Sequence, residues 1–193
     1  LTADDVPAII NLLKSDFLRD LSVFGLCNNP LGNKAADAVV AAAANLQHLT
    51  RLDLENSVHV FTYTPFMYVG SQMYDPALIS LSTAFAEGAF RELEDLNLSH
   101  NRFEDEGIIA LAEALNKGAL PALKSLWIDD NAITDVGVKA LLEVAGNGKL
   151  ANLESLAIEN QEFSRKKQIE DALESARKAA ERDEGGEPNP EGI

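Results

Sequence analysis

One pattern, L-x-x-L-x-L-x-x-N-x-L, recurs along this chain and limits the folds open to it more than any local propensity does. It runs from Leu21 to Leu31, from Leu93 to Phe103 and from Leu123 to Ile133, with Phe24 and Ile128 as apolar variants. A fourth copy, Leu153 to Phe163, carries Gln161 in place of the Asn. A fifth begins cleanly with Leu49, Leu52 and Leu54 and then breaks, with Ser57 in the Asn position. The copies start at 21, 49, 93, 123 and 153, so the spacings are 28, 44, 30 and 30 residues.

The register continues past each copy. Asn29 is followed by Ala35, Val39 and Ala43, Asn101 by Gly107, Leu111 and Leu115, and Asn131 by Gly137, Leu141 and Ala145. With Ile108, Ala110 and Ala114 filling in, this is one apolar face of an amphipathic helix. Each unit therefore supplies one short strand and one helix. A single unit cannot bury its own apolar face, whereas stacked neighbours share a core. The chain resembles the leucine-rich repeat family over about Leu21 to Phe163, and its 28–30 residue period with a full helix is similar to the ribonuclease-inhibitor-like subclass. The resemblance implies an α/β solenoid, a curved horseshoe of about five repeats with a parallel concave sheet and convex helices. The Asn at position nine is expected to bond backbone across the turn, forming a ladder through Asn29, Asn101 and Asn131, imperfect at Ser57 and Gln161.

A stack needs covers at its ends. Residues 1–20 are expected to form an N-terminal cap, with Thr2 to Asp5 as a capping box opening a helix to about Lys14. Residues 164–183 read as a second helix, with Ile169, Leu173, Ala176 and Ala180 offset from the repeat register. It either caps the stack or projects toward a partner. The tail 184–193 has no core-forming residues and is expected to be disordered.

The repeat that starts at Leu49 is 14 residues longer than the 30-residue repeats that follow it, and the surplus lies between Ser57 and Ala77, an insertion at about 58–74. Phe61, Tyr63, Phe66, Tyr68 and Tyr74 fall here with both methionines, Met67 and Met73. From Asn56 to Ala86 there is one charge, Asp75, where the chain's 24% charged composition predicts about seven. So apolar a segment on a charged solenoid is either a hairpin packed on its own repeat or a surface covered by a partner; exposed aromatics and Met are enriched at interfaces. Phe61, Tyr63, Phe66, Met67, Tyr68 and Tyr74 are the candidate contacts. Thr, Ser, Gln and Pro interrupt the stretch too often for a spanning helix.

On the strands, the slots expected to point out of the sheet are the fifth, seventh and eighth of each unit. The fifth reads Gly25, Asp53, Asn97, Trp127 and Ala157, the seventh Cys27, Glu55, Ser99, Asp129 and Glu159, the eighth Asn28, Asn56, His100, Asp130 and Asn160. This is an acidic strip with one large aromatic near its centre. Asp53, Glu55, Asn97, His100, Trp127, Asp129, Asp130 and Glu159 are the candidate partner-binding residues, Trp127 as an anchor for a basic or amphipathic protein segment. The bland alternative is that Trp127 shields the sheet and the carboxylates are solvated.

Charge and composition exclude several functions. A net charge of −15 opposes nucleic acid and anionic lipid. The single Cys27 rules out an intrachain disulfide framework, and His48, His59 and His100 have no metal-ligand spacing. No nucleophile–base pair or phosphate loop is visible, Gly88, Gly118 and Gly148 reading as turns before the next strand. The chain is therefore expected to be no enzyme and to take no cofactor or metal. The expected role is a non-catalytic protein–protein interaction module, a structural or assembly subunit of a larger complex. It would dock through the aromatic insertion and the acidic concave face. The resemblance also implies an alternative, a regulator of an enzyme: the subclass includes inhibitors of basic ribonucleases and Ran GTPase activators. Ribonuclease inhibitors are longer and Cys-rich, and the activators have a longer arc and a more acidic tail. A fragment of an innate-immune receptor is a third possibility that the resemblance raises. The single Cys27 suits a reducing compartment, so the expected location is intracellular, the cytoplasm or an organelle after targeting-peptide removal. A start at Leu1 without Met fits a cleaved targeting segment and an arbitrary boundary of the sequence equally.

Overall fold

The computed structural model describes residues 1, 3–27, 29, 31–42, 45–55, 72–158, 167, 171–175 and 178. Each repeat start opens a three-residue strand: β1 (Val23–Gly25), β2 (Arg51–Asp53), β3 (Asp95–Asn97), β4 (Ser125–Trp127) and β5 (Ser155–Ala157). They form one parallel sheet in chain order, in a register that sets Phe24, Leu52, Leu96, Leu126 and Leu156 side by side. Parallel neighbours require a crossover, and the helices provide it. The helices are α1 (Val6–Leu13), before the first strand, then α2 (Asn33–Ala42), α3 (Asp75–Ala86), α4 (Asp105–Asn116) and α5 (Asp135–Gly146).

The core lies between the sheet and the helices. Leu52, Leu96 and Leu126 point into it from the strands, and Leu78, Leu81, Ile108, Leu111, Val138 and Leu141 meet them from α3, α4 and α5. Phe24 and Leu156, on the outermost strands, are only half-buried because each has a neighbouring strand on one side alone. Phe85 and Phe90 pack edge to face at 5.9 Å between ring centres. Gly88, Gly118 and Gly148 turn the chain out of successive helices at φ of 93°, 89° and 71°, where a Cβ would be strained.

Two polar ladders join the repeats. The Asn101 amide donates to the carbonyls of Leu98, Ser99 and Leu54, and its Oδ1 accepts from the Met73 N–H. Asn131 repeats this one unit on, donating to Leu98, Ile128 and Asp129 and accepting from Phe103. Asn29 donates to Leu26 and Cys27. Ser57 and Gln161 lie outside the described residues.

The second ladder caps the helices. Asn33 Oδ1 accepts from the Tyr74 N–H at 2.8 Å, and Asp75 Oδ1 from the Glu104 N–H at 2.7 Å. Asp105 accepts from the Thr134 and Gly137 N–H groups and from the Thr134 hydroxyl. Each acid of one repeat thus satisfies the orphan N–H groups at the next helix's start. Burial pushes the Asp105 carboxyl up, but the Thr134 hydroxyl, the Thr134 N–H and the Gly137 N–H together hold it below the usual range.

This ladder explains Gly107 in α4 and Gly137 in α5. A Cβ on Gly107 would lie 2.6 Å from Asp75 Oδ1 and 3.3 Å from the Asp75 Cα, and one on Gly137 would lie 2.7 Å from Asp105 Oδ1. Gly→Ala within a helix normally stabilises by about 1 kcal/mol. Gly107→Ala is expected to reverse the sign and destabilise by about 2 kcal/mol, because the clashing carboxylate cannot move without abandoning its cap. Urea unfolding of the variant checks this.

The broken repeat regains register earlier than its composition implies. Met73 donates its N–H to Asn101 as Phe103 does to Asn131, and its carbonyl accepts from Arg102 as that of Phe103 does from Ala132. Met73 therefore fills the eleventh slot and is buried in the core. This corrects the insertion's extent: Gln72, Met73 and Tyr74 belong to the repeat, and the surplus of 14 residues lies before Gln72. At the N-terminus, a 3-10 turn (Ala3–Asp5) precedes α1, and the N-cap Asp5 makes no side-chain capping bond. Thr2 lies outside the described residues. Residues 171–175 are helical, and Leu173, 4% exposed, joins the core. The rest of 164–183 and the tail 184–193 fall largely or wholly outside the described residues.

Candidate functional site

Because the strands are in register, equivalent side chains line up in rows across the sheet's helix-free face. A row from the third slot (Val23, Arg51, Asp95, Ser125, Ser155) lies beside the fifth-slot row (Gly25, Asp53, Asn97, Trp127, Ala157). Between β2 and β4 these rows and the residues after them surround a groove of about 460 Å³. Arg51, Asp53, Glu55, Asn97, Ser99, His100, Trp127 and Asp129 line it.

The wall is held by bonds among its own members. The Asn97 amide donates to Glu55 Oε2 at 2.9 Å, and the Ser99 hydroxyl to Asp129 Oδ2 at 3.1 Å. Asp53 Oδ1 accepts the Glu55 N–H at 3.0 Å, and Asn97 Oδ1 accepts the Ser99 N–H at 3.1 Å. Arg51 donates through Nε and Nη2 to Asp95 Oδ2, at 3.0 and 2.7 Å. His100 turns on a φ of 58°, with Nδ1 3.0 Å from Asp130 Oδ2 and Nε2 3.9 Å from Glu55 Oε1.

Electrostatically, the groove divides. Burial pushes the Asp53 carboxyl above the usual range against the Glu55 N–H, and the Glu55 carboxylate adds to the rise while Arg51 opposes it. Asp95 is displaced the other way: burial raises it, but the bonds from Arg51 and Ser125 and the charge of Lys124 bring it below the usual range. One acid is thus well compensated and the other is not.

Of the residues singled out from sequence, Asp53, Glu55, Asn97, His100, Trp127 and Asp129 meet in this groove, and Asp130 stands behind His100. Ser99, expected to be exposed, is covered by its neighbours and 5% exposed. Glu159 lies outside the described residues, as do Phe61, Tyr63, Phe66, Met67 and Tyr68. Tyr74 is 46% exposed, sits at the N-cap of α3 beside Arg102 and is not part of the groove lining. The third-slot row was missed, with Arg51 and Asp95; strand alternation points to it, since slots three and five share a face.

Among the described residues, no group of three or more His, Cys, Asp or Glu is placed to hold a metal, and no helix is long and apolar enough to cross a membrane.

The leucine-rich repeat family model matches residues 92–112 and 120–142, the third and fourth units. The tropomodulin C-terminal domain of Caenorhabditis elegans is similar at a TM-score of 0.63 and 17% identity, covering 94% of this chain and 99% of that one. A leiomodin-1 segment described as actin-binding site 2 is similar at a TM-score of 0.64 and 15% identity, covering 92% of each. A search of curated proteins gives no match. At these identities the two structures speak for the fold. With the repeat pattern, the in-order parallel sheet and the matched units in agreement, the chain folds as an α/β solenoid of the leucine-rich repeat type.

Proposed function

We propose that the chain is a non-catalytic protein-interaction module that receives a partner polypeptide on the helix-free face of its sheet. The observation that carries this is the open groove around Trp127. Three carboxylates, Asp53, Glu55 and Asp129, face one guanidinium, Arg51, which is already paired with Asp95. Such a surface complements a basic segment, and an aromatic among charges is the usual anchor of a binding patch. The leiomodin-1 likeness supports a protein partner, since that segment is described as actin-binding.

The finer reading is a structural or assembly subunit of a larger complex, with the aromatic insertion as a second contact. The period of 30 residues with full helices supports the ribonuclease-inhibitor-like subclass. The acidic groove also favours a second reading, an inhibitor of a basic enzyme, which would use the same face. Assaying a panel of basic nucleases and GTPases with the chain added separates the two, since a structural subunit changes no turnover.

The register suggests a clean deletion. Removing residues 58–71 joins Ser57 to Gln72 and restores a repeat of 30 residues. The deleted chain is expected to melt cooperatively, with Met73 still in its slot, yet to run as a monomer, below the 20.8 kDa of the full chain, in a gentle native extract where the full chain runs in a large assembly. A deleted chain that still enters the assembly overturns the insertion as a docking element.

A further inference from the structure

Several donors around the groove are engaged by its own acceptors, beside the His100 ring and the Trp127 indole. The Asn97 amide, the Ser99 hydroxyl and the Arg51 guanidinium bond to Glu55, Asp129 and Asp95, and the Glu55 and Ser99 N–H groups bond to Asp53 and Asn97. What the lining offers an occupant is therefore mostly acceptor oxygen beside an indole. An anion or a carbonyl-rich ligand would find few donors here. A guanidinium is the complement: it is a planar fork of N–H donors with no acceptor, always charged, and it stacks on aromatic faces. An ammonium shares the charge but neither the plane nor the fork.

The spacing also suits it. Trp127 and Asp53 hold equivalent slots on strands two apart, so their backbones stand about 10 Å from each other across Asn97. That gap accepts a guanidinium laid over the Asn97 row, between the indole and the acids. Burial pushes the Asp53 carboxyl up even against the Arg51 charge, and a further cation seated beside it would offset that burial.

We propose that an arginine side chain of the partner segment seats in this groove, stacked on Trp127 and hydrogen-bonded to the carboxylates of Asp53 and Glu55. This rests on the helix-free face being the docking surface and names the group it recognises.

Trp127 is the only tryptophan of the chain, so its emission reports the groove directly. The test titrates the full chain with nona-arginine and with nona-lysine at low salt. The arginine peptide is expected to change Trp127 emission and to bind at least about fivefold tighter than the lysine peptide. Asp53→Asn keeps an oxygen for the Glu55 N–H and should erase most of that preference without lowering the melting temperature. Equal affinity for the two peptides, binding without a change in emission, or binding of neither overturns the arginine seat. The docking surface is judged separately, by whether Trp127→Ala with Asp129→Lys weakens the natural partner. If it does and the arginine preference is absent, only the seat fails; if it does not, the seat and the surface fail together.

Discussion

Replacing Asn101 by Ala lowers the stability of the fold by about 4 kcal/mol. Asn101 is 3% exposed, and its side chain serves four backbone groups from two repeats: the carbonyls of Leu54, Leu98 and Ser99 and the N–H of Met73. The Leu98 carbonyl keeps its bond from Asn131, but truncation leaves the other three in a site where water cannot replace the lost partner. Each buried unsatisfied group costs about 1–3 kcal/mol, and partial relaxation keeps the total below the sum. Asn131→Ala is the control, because that residue makes a matching set of bonds but is only half-buried. Solvent can reach its orphaned groups, so its loss is expected to be about half as large. Urea unfolding of both variants decides, with an unchanged slope confirming that only stability moved. Equal losses would contradict the view that burial sets the ladder's strength.

The second large effect is on binding. Trp127→Ala with Asp129→Lys removes the anchor and reverses a charge at the groove's wall. We expect partner affinity to fall at least about a hundredfold, since truncating a central aromatic hot spot alone costs about 2–4 kcal/mol. The fold should survive: Trp127 is half-buried on the helix-free face, and the core residues beside it, Leu126 and Ile128, are untouched. A cooperative melt within a few degrees of the parent is the control, and calorimetric titration with the isolated partner is the measurement. Unchanged affinity would remove the groove from the account.

These expectations differ in how far they could be read from the sequence. The strands at Leu96 and Leu126 and the helices behind them were legible because a repeat states the same pattern several times, and each copy checks the others. The Asn ladder was legible for the same reason: a polar residue at one fixed place amid leucines must find backbone partners once buried. Asp75 and Asp105 stand at an equally fixed place, yet their role was hidden. Capping the next repeat's helix is a contact between units, and a carboxylate before a helix reads equally well as an ordinary solvated charge.

Met73 shows the opposite failure. It was grouped with Phe61 to Tyr74 because composition changes there, but hydrogen bonding to Asn101 places it in the core. Composition blurs a boundary that register defines. In the groove, the fifth-slot acids and Trp127 were legible from strand alternation. Arg51 and Asp95 were passed over although the same alternation selects them, and without them the strip looks more uniformly acidic than it is.

The most direct test of the groove as the docking surface is carboxyl footprinting of the chain in its natural complex. Coupling a small amine to accessible acids, followed by mass spectrometry, scores each carboxylate with and without the partner. The predicted result is protection of Asp53, Glu55 and Asp129, while Glu87, Glu106 and Glu113, exposed on the helical side, stay fully labelled. Protection of those three helix-side glutamates, with the groove acids labelled as freely as in the isolated chain, would contradict it.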